Sequence, residues 1–167
     1  MRILLILLSL APLRAEYLRI EQDFGAMDCA SCSEFIQNKL NKNQGVQSVE
    51  VDRKRNVVRV ILKPGNTVRV RQVRDFVEQS GFKPKETRVT VRGVAWVDRG
   101  ITTLKIPELN EAIRVRDEEM GLRMFYNKKV EVTGRIESVM SEGSRIDILV
   151  VEKVEGPKQS KEVAARP

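Results

Sequence analysis

Two thiols stand out in this sequence, in the run Met27-Asp28-Cys29-Ala30-Ser31-Cys32. Cysteines separated by two residues can converge on one ion when the chain bends between them. The chain has 2 cysteines and 0 histidines. Without histidine there is no Ser-His-Asp or Cys-His catalysis, no imidazole-bound zinc and no histidine pH switch. Structural zinc takes four protein ligands and iron–sulfur clusters usually take four cysteines, sets this chain does not supply alone. Two thiolates suit a soft ion instead, Cu(I) above all, and Hg(II) by the same logic. The expected function is therefore binding rather than enzymatic.

The elements around the thiols follow from their periods. Leu18 and Ile20 alternate with Arg19 and Glu21, so Tyr17 to Phe24 is predicted as a strand. From Ser31 to Asn41, Cys32, Ile36 and Leu40 recur every four residues as one apolar stripe of a helix, which Gly45 is expected to end as a left-handed cap. Cys32 then lies in the first helical turn, where free N–H groups favour a thiolate, with Cys29 just outside and more exposed. Val49 and Val51, a polar turn from Asp52 to Asn56, and Val58, Val60 and Leu62 read as a hairpin. Pro64 to Thr67 gives a break and an N-cap. Val70, Val73 and Val77 give a second helix stopped at Gly81, and Phe82 to Glu86 begins the last strand. The predicted fold class is α+β: a ferredoxin-like β-α-β-β-α-β unit with two helices on one face of a four-stranded antiparallel sheet.

Gly25 to Cys32, with Ile36, Leu40, Gly45-Val46, Val49-Glu50-Val51 and Gly81-Phe82, resembles the heavy-metal-associated domain. This family occurs in copper chaperones, in N-terminal repeats of copper-transporting P-type ATPases and in periplasmic mercury-binding proteins. The resemblance covers about Tyr17 to Glu86. It implies that Cys29 and Cys32 bind the metal, that Met27 is a buried tether of the loop, and that Phe82 packs near the site. It also implies a metal-donor or metal-acceptor protein as partner, such as a copper transporter domain. The glycine that usually precedes the methionine is Ala26 here, with Gly25 one step earlier.

Other readings of the same residues stay open. Cys29 and Cys32 could form a thiol–disulfide redox pair or a structural disulfide, and a disulfide would remove both ligands until reduced. The metal domain could also be vestigial in a protein-interaction module. The formal net charge is +7. Between Glu16 and Arg92 there are 15 basic and 10 acidic residues, while Gly93 to Pro167 carries 13 of each. The excess includes Arg53, Lys54 and Arg55 in the hairpin turn and Arg69, Arg71 and Arg74 on the second helix. These six are either a solvated face or a docking surface for an acidic partner. No aromatic residues interleave with them to stack bases, so nucleic acid is not an expected partner.

Residues 1–15 have an apolar run, Ile3 to Ala11, broken by Pro12, which reads as a signal peptide with Ala15 before the cleavage point. The expected destination is periplasmic or extracellular, and the only expected membrane contact is an uncleaved leader acting as anchor. The metal domain is assigned to residues 16–87 and an OB-like β domain to residues 88–156. In the latter, Val89 to Gly93 and Val130 to Gly134 share a Val-x-Val-x-Gly pattern, and glycine inside a strand marks a bend. Ile101 to Ile106 and Arg145 to Val154 complete four predicted strands of a partly open barrel, and Leu109 to Met124 is predicted as a helical crossover. Residues 157–167 read as a disordered tail.

Overall fold

The computed structural model describes residues 14–25, 30–119 and 121–156. The expected leader, apart from Arg14 and Ala15, and the expected tail lie outside them. The first module runs β1 (Glu16–Phe24), α1 (Ala30–Asn41), β2 (Val46–Asp52), β3 (Val57–Leu62), α2 (Val70–Gln79) and β4 (Pro84–Asp98). Its strands lie in the antiparallel order β2-β3-β1-β4, the ferredoxin-like arrangement. Ile36 and Leu40 of α1 and Val70, Val73 and Val77 of α2 are buried against Ile20, Val49, Val58, Val60 and Val89. The helical stripes and the alternating strand residues thus meet in one layer. Gln22 is buried inside it, taking a hydrogen bond from the Thr87 hydroxyl at 2.7 Å and donating to backbone carbonyls nearby.

The last strand of this module does not stop where the sequence suggests. β4 is 15 residues long and absorbs both the expected Phe82–Glu86 strand and the Val89–Gly93 strand. Its segment Pro84–Arg92 pairs with β1, and Val94–Asp98 pairs with β5 (Ile101–Ile106) on the same edge. On the other edge Thr87–Val94 pairs with β7 (Lys129–Ser141). With β6 (Glu111–Arg116) and β8 (Ser144–Glu155), these strands close a five-stranded barrel in the order β4-β5-β6-β8-β7 and back to β4. The edge strand of the first sheet is thereby a barrel stave, which leaves no open edge along Thr87–Val94 for other chains to pair with. The expected boundary at residues 87 and 88 lies inside one continuous strand.

The two Val-x-Val-x-Gly segments pair with each other, Val89 opposite Gly134, Val91 opposite Val132 and Gly93 opposite Val130. All four valines are buried. A Cβ on Gly93 would stand 2.8 Å from Leu104 Cγ, and one on Gly134 would stand 2.2 Å from the Val150 carbonyl oxygen. Glycine is required where β5 and β8 wrap over their neighbours.

The predicted helix at Leu109–Met124 is absent. Instead β6 lies between two short 3-10 turns, Pro107–Leu109 and Gly121–Phe125. Leu109 and Ile113 are four apart, a spacing that suits a strand as well as a helix, and Asn110 in the left-handed region (φ 49°) ends the first turn. The Asp117 carboxylate accepts from the Leu122 N–H at 2.6 Å and fixes the second turn. Gly45 is not in the left-handed region. It is small because a Cβ there would meet Val68 Cγ2 at 2.8 Å. Gly81 (φ 86°) does stop α2 as expected. The N-cap of α2 is Arg69, and Asn66 is a buried bracket that donates to the Tyr17 and Lys63 carbonyls.

Candidate metal centre

Cys32 sits in the first turn of α1, partly buried against the core, on the same stripe as Ile36 and Leu40. The Gln37 amide donates to the Val49 carbonyl at 3.0 Å, fixing the helix on β2. Cys32 is disulfide-bonded here. Cys29 and Met27 lie outside the described residues.

The ground on which the thiol loop stands is well defined. β1 ends at Phe24, whose N–H donates to the Asn56 carbonyl, and the next N–H, of Gly25, donates to the Lys83 carbonyl, both at 3.0 Å. The chain entering the loop is held between the β2–β3 turn on one side and the α2–β4 connection on the other. Phe82, in that connection, is partly buried with its ring centroid 5.5 Å from that of Phe24, tilted 56°. That aromatic pair packs at the end of β1, where the chain leaves the sheet.

Electrostatics on the outer face of β1 are ordered by ion pairs. Glu21 accepts from Arg59 at 2.8 Å and from Arg19. Partial burial pushes the Glu21 carboxyl up, but hydrogen bonds and charge from Arg59 and Arg19 outweigh it and hold the group below the usual carboxylate range. Asp23, nearer the loop, is shifted upward by burial and then by the charge of Glu86. Among the described residues no group of three or more cysteine, aspartate or glutamate side chains is placed to hold a metal ion. No described helix is long and apolar enough to cross a membrane.

The six basic residues expected to form one docking surface are divided. Arg53, Lys54 and Arg55 are exposed in the β2–β3 turn, whose Asn56 accepts from Phe24, and so stand at the thiol end. Arg69 and Arg71 lie at the start of α2, toward the opposite end of β1, where Arg69 donates to the Leu109 carbonyl. Arg74 is not a surface residue. It is 6% exposed, with its guanidinium 3.4 Å from the Ser138 hydroxyl and 3.6 Å from Asp147, and it pins α2 to β7 and β8.

Sequence reasoning missed this junction. Tyr17 donates to Glu111 Oε1 at 3.0 Å across it. Burial first, then the Glu111 charge, raises the Tyr17 hydroxyl far above its ordinary value. Arg92 on β4 reaches Glu16 on β1 at 3.6 Å and Glu131 on β7 at 3.3 Å. Ala15 is fully buried, its N–H donating to Glu108 at 3.0 Å.

No curated protein matches the chain. Several solved structures are similar to parts of it. One is the N-terminal domain of a potential copper-translocating P-type ATPase from Bacillus subtilis in the Cu(I)-loaded state, 30% identical over 42% of this chain and 85% of that one, with a TM-score of 0.36. Another is the first domain of the human copper chaperone for SOD1 in its copper(I)-loaded form, 26% identical over 41% and 89%, with a TM-score of 0.35. The CopZ metallochaperone is 25% identical over 40% and 98%, with a TM-score of 0.37. Residues 24–83 of this chain match the family model of the heavy-metal-associated domain.

Proposed function

We propose that this protein binds a soft metal ion, Cu(I) first and Hg(II) by the same chemistry, through the thiolates of Cys29 and Cys32, and passes it on or sequesters it as an exported chaperone or scavenger. The match of residues 24–83 to the heavy-metal-associated domain carries the reading. Cys32 at the positive end of α1 supports it, because the helix N-terminus stabilises the thiolate that a soft ion needs. The ion is cargo. In transfer, a thiolate of the partner first adds to the bound ion beside Cys29 and Cys32, and the ion leaves as its bonds to these two are replaced one at a time.

Arg53, Lys54 and Arg55 flank the thiol end and supply positive charge for an acidic metal-donor or metal-acceptor protein. The barrel is read as OB-like, a reading its strand order and its parallel β6–β8 pair support. Its role is to brace the metal module rather than to catalyse.

The disulfide at Cys32 makes reduction the gate, since an oxidised pair offers no thiolate. It also favours a second reading, thiol–disulfide redox chemistry at the same pair. Anaerobic titration of the reduced protein with Cu(I) against a competing chelator separates the two. Binding of one ion per chain, abolished in Cys29→Ser/Cys32→Ser, is the expected result. Undiminished binding by the double variant overturns the metal reading, and turnover of a disulfide substrate without metal binding establishes the redox one.

A further inference from the structure

The barrel wall parts at one place. β6 and β8 run parallel and pair only over Arg114–Arg116 and Ile148–Val150. One step earlier along each strand, Glu111–Ile113 pairs with β5 alone and Arg145–Asp147 pairs with β7 alone. The two strands therefore diverge, and each turns an edge without a strand partner toward the gap. The gap is a cleft of about 400 Å³, lined by these two stretches, by Tyr17 and by the first residues of α2.

Positive charge prevails in it. Arg69, Arg71, Arg114 and Arg145 line it, against Glu111 and Asp147. Glu111 takes the Tyr17 hydroxyl on one oxygen, Asp147 is shared by Arg74 and Arg145, and Arg71 also faces Asp75 at 3.5 Å, which leaves Arg69 and Arg114 without a carboxylate partner among the ion pairs of the described residues. The positive end of α2 opens into the same cleft. Val70 and Ile146 give it apolar wall as well.

From this geometry we infer that the cleft binds an extended acidic peptide of a partner protein. Its main chain extends the free edges of β6 and β8, and its alternate carboxylates meet the arginines. The free edges demand a peptide backbone rather than a bare anion, and the charge decides which peptide. The chain's own outer segments have the wrong sign: residues 157–167 carry Lys158, Lys161 and Arg166 against Glu162, and residues 1–13 carry Arg2 alone. This site lies at the opposite end of the first module from the thiols and does not depend on metal binding.

A fluorescein-labelled Glu-Val-Glu-Val-Glu-Val peptide, titrated into the full chain and followed by polarisation, tests the inference. Saturable binding is expected, weakened at least about tenfold in Arg114→Glu/Arg145→Glu, both exposed residues outside the core. The same peptide N-methylated at alternate amides should bind at least about tenfold more weakly too, because strand addition uses those N–H groups. Amide exchange of the unsubstituted protein, which requires no variant to fold, should slow at residues 111–113 and 145–147 when peptide is added. Absence of binding, equal binding by the methylated peptide, equal binding by tripolyphosphate, or protection confined to other segments would each overturn it.

Discussion

The two ends of the first module are fastened by different physics. At the thiol end the last residues before the loop are fixed by main-chain hydrogen bonds and an aromatic contact, Phe24 to Asn56, Gly25 to Lys83, and Phe24 against Phe82, with the neutral Gln22–Thr87 pair buried beside them. About 30 Å away, the length of a nine-residue strand, the junction end is held by side-chain charge and buried polar contacts: Arg74 with Asp147, Tyr17 with Glu111, and Glu16 through Arg92 to Glu131. Main-chain and aromatic anchoring fixes where the chain leaves β1 at Gly25. Partly buried ion pairs join the two modules in one orientation at some cost of desolvation. The molecule thus carries its proposed metal site at one end and the joint between its modules at the other.

Substitutions can break this contrast, beginning with the joint. Gly134→Ala forces a Cβ onto the Val150 carbonyl, a backbone atom with little room to yield, and should cost about 3 kcal/mol in denaturant unfolding. An unchanged unfolding midpoint would show that the barrel closes with more slack than its register implies. Arg74→Ala removes the clamp between α2 and the barrel. With Asp147 partly solvated, the expected loss is about 2 kcal/mol, accompanied by faster amide exchange at the start of α2 and unaltered Cu(I) affinity.

At the thiol end, Phe82→Ala should cost only about 1 kcal/mol, because the ring is partly exposed. It should nevertheless change the rate at which the reduced thiols react with an alkylating reagent, which Arg74→Ala should leave alone. If the two variants exchange effects, the division between the ends fails.

The smallest effect is the pH response of Glu21. Its folded carboxyl is held below the ordinary value, so the stability it contributes is present at neutral pH and is lost as pH falls through the carboxylate range toward the folded value. Glu21→Gln should lower the melting temperature slightly at pH 7 and hardly at all in strong acid.

Much of the first module was legible because each element carries its own period and stop: Cys32, Ile36 and Leu40 on one helix face, Val58, Val60 and Leu62 on one strand face, Gly81 after α2. Arg74 was legible too, had the helical period been applied to charge as well as to valine. Four residues after Val70 and three before Val77, it falls on the buried stripe. The joint was not legible, since nothing local distinguishes one long strand from two short ones until the pairing on both edges is known. The pair of Val-x-Val-x-Gly segments signalled bends, but that they lie against each other is a long-range fact. The cleft between β6 and β8 arises from a parallel pairing that ends early, which no period in either strand records.

The most direct measurement is X-ray absorption at the copper edge on the reduced, Cu(I)-loaded protein. If the thiol end holds the ion without help from the rest of the molecule, copper is surrounded by the two cysteine sulfurs, unchanged in Arg74→Ala and lost in Cys29→Ser/Cys32→Ser. A shell dominated by nitrogen or oxygen, or a spectrum that survives removal of both thiols, would contradict it.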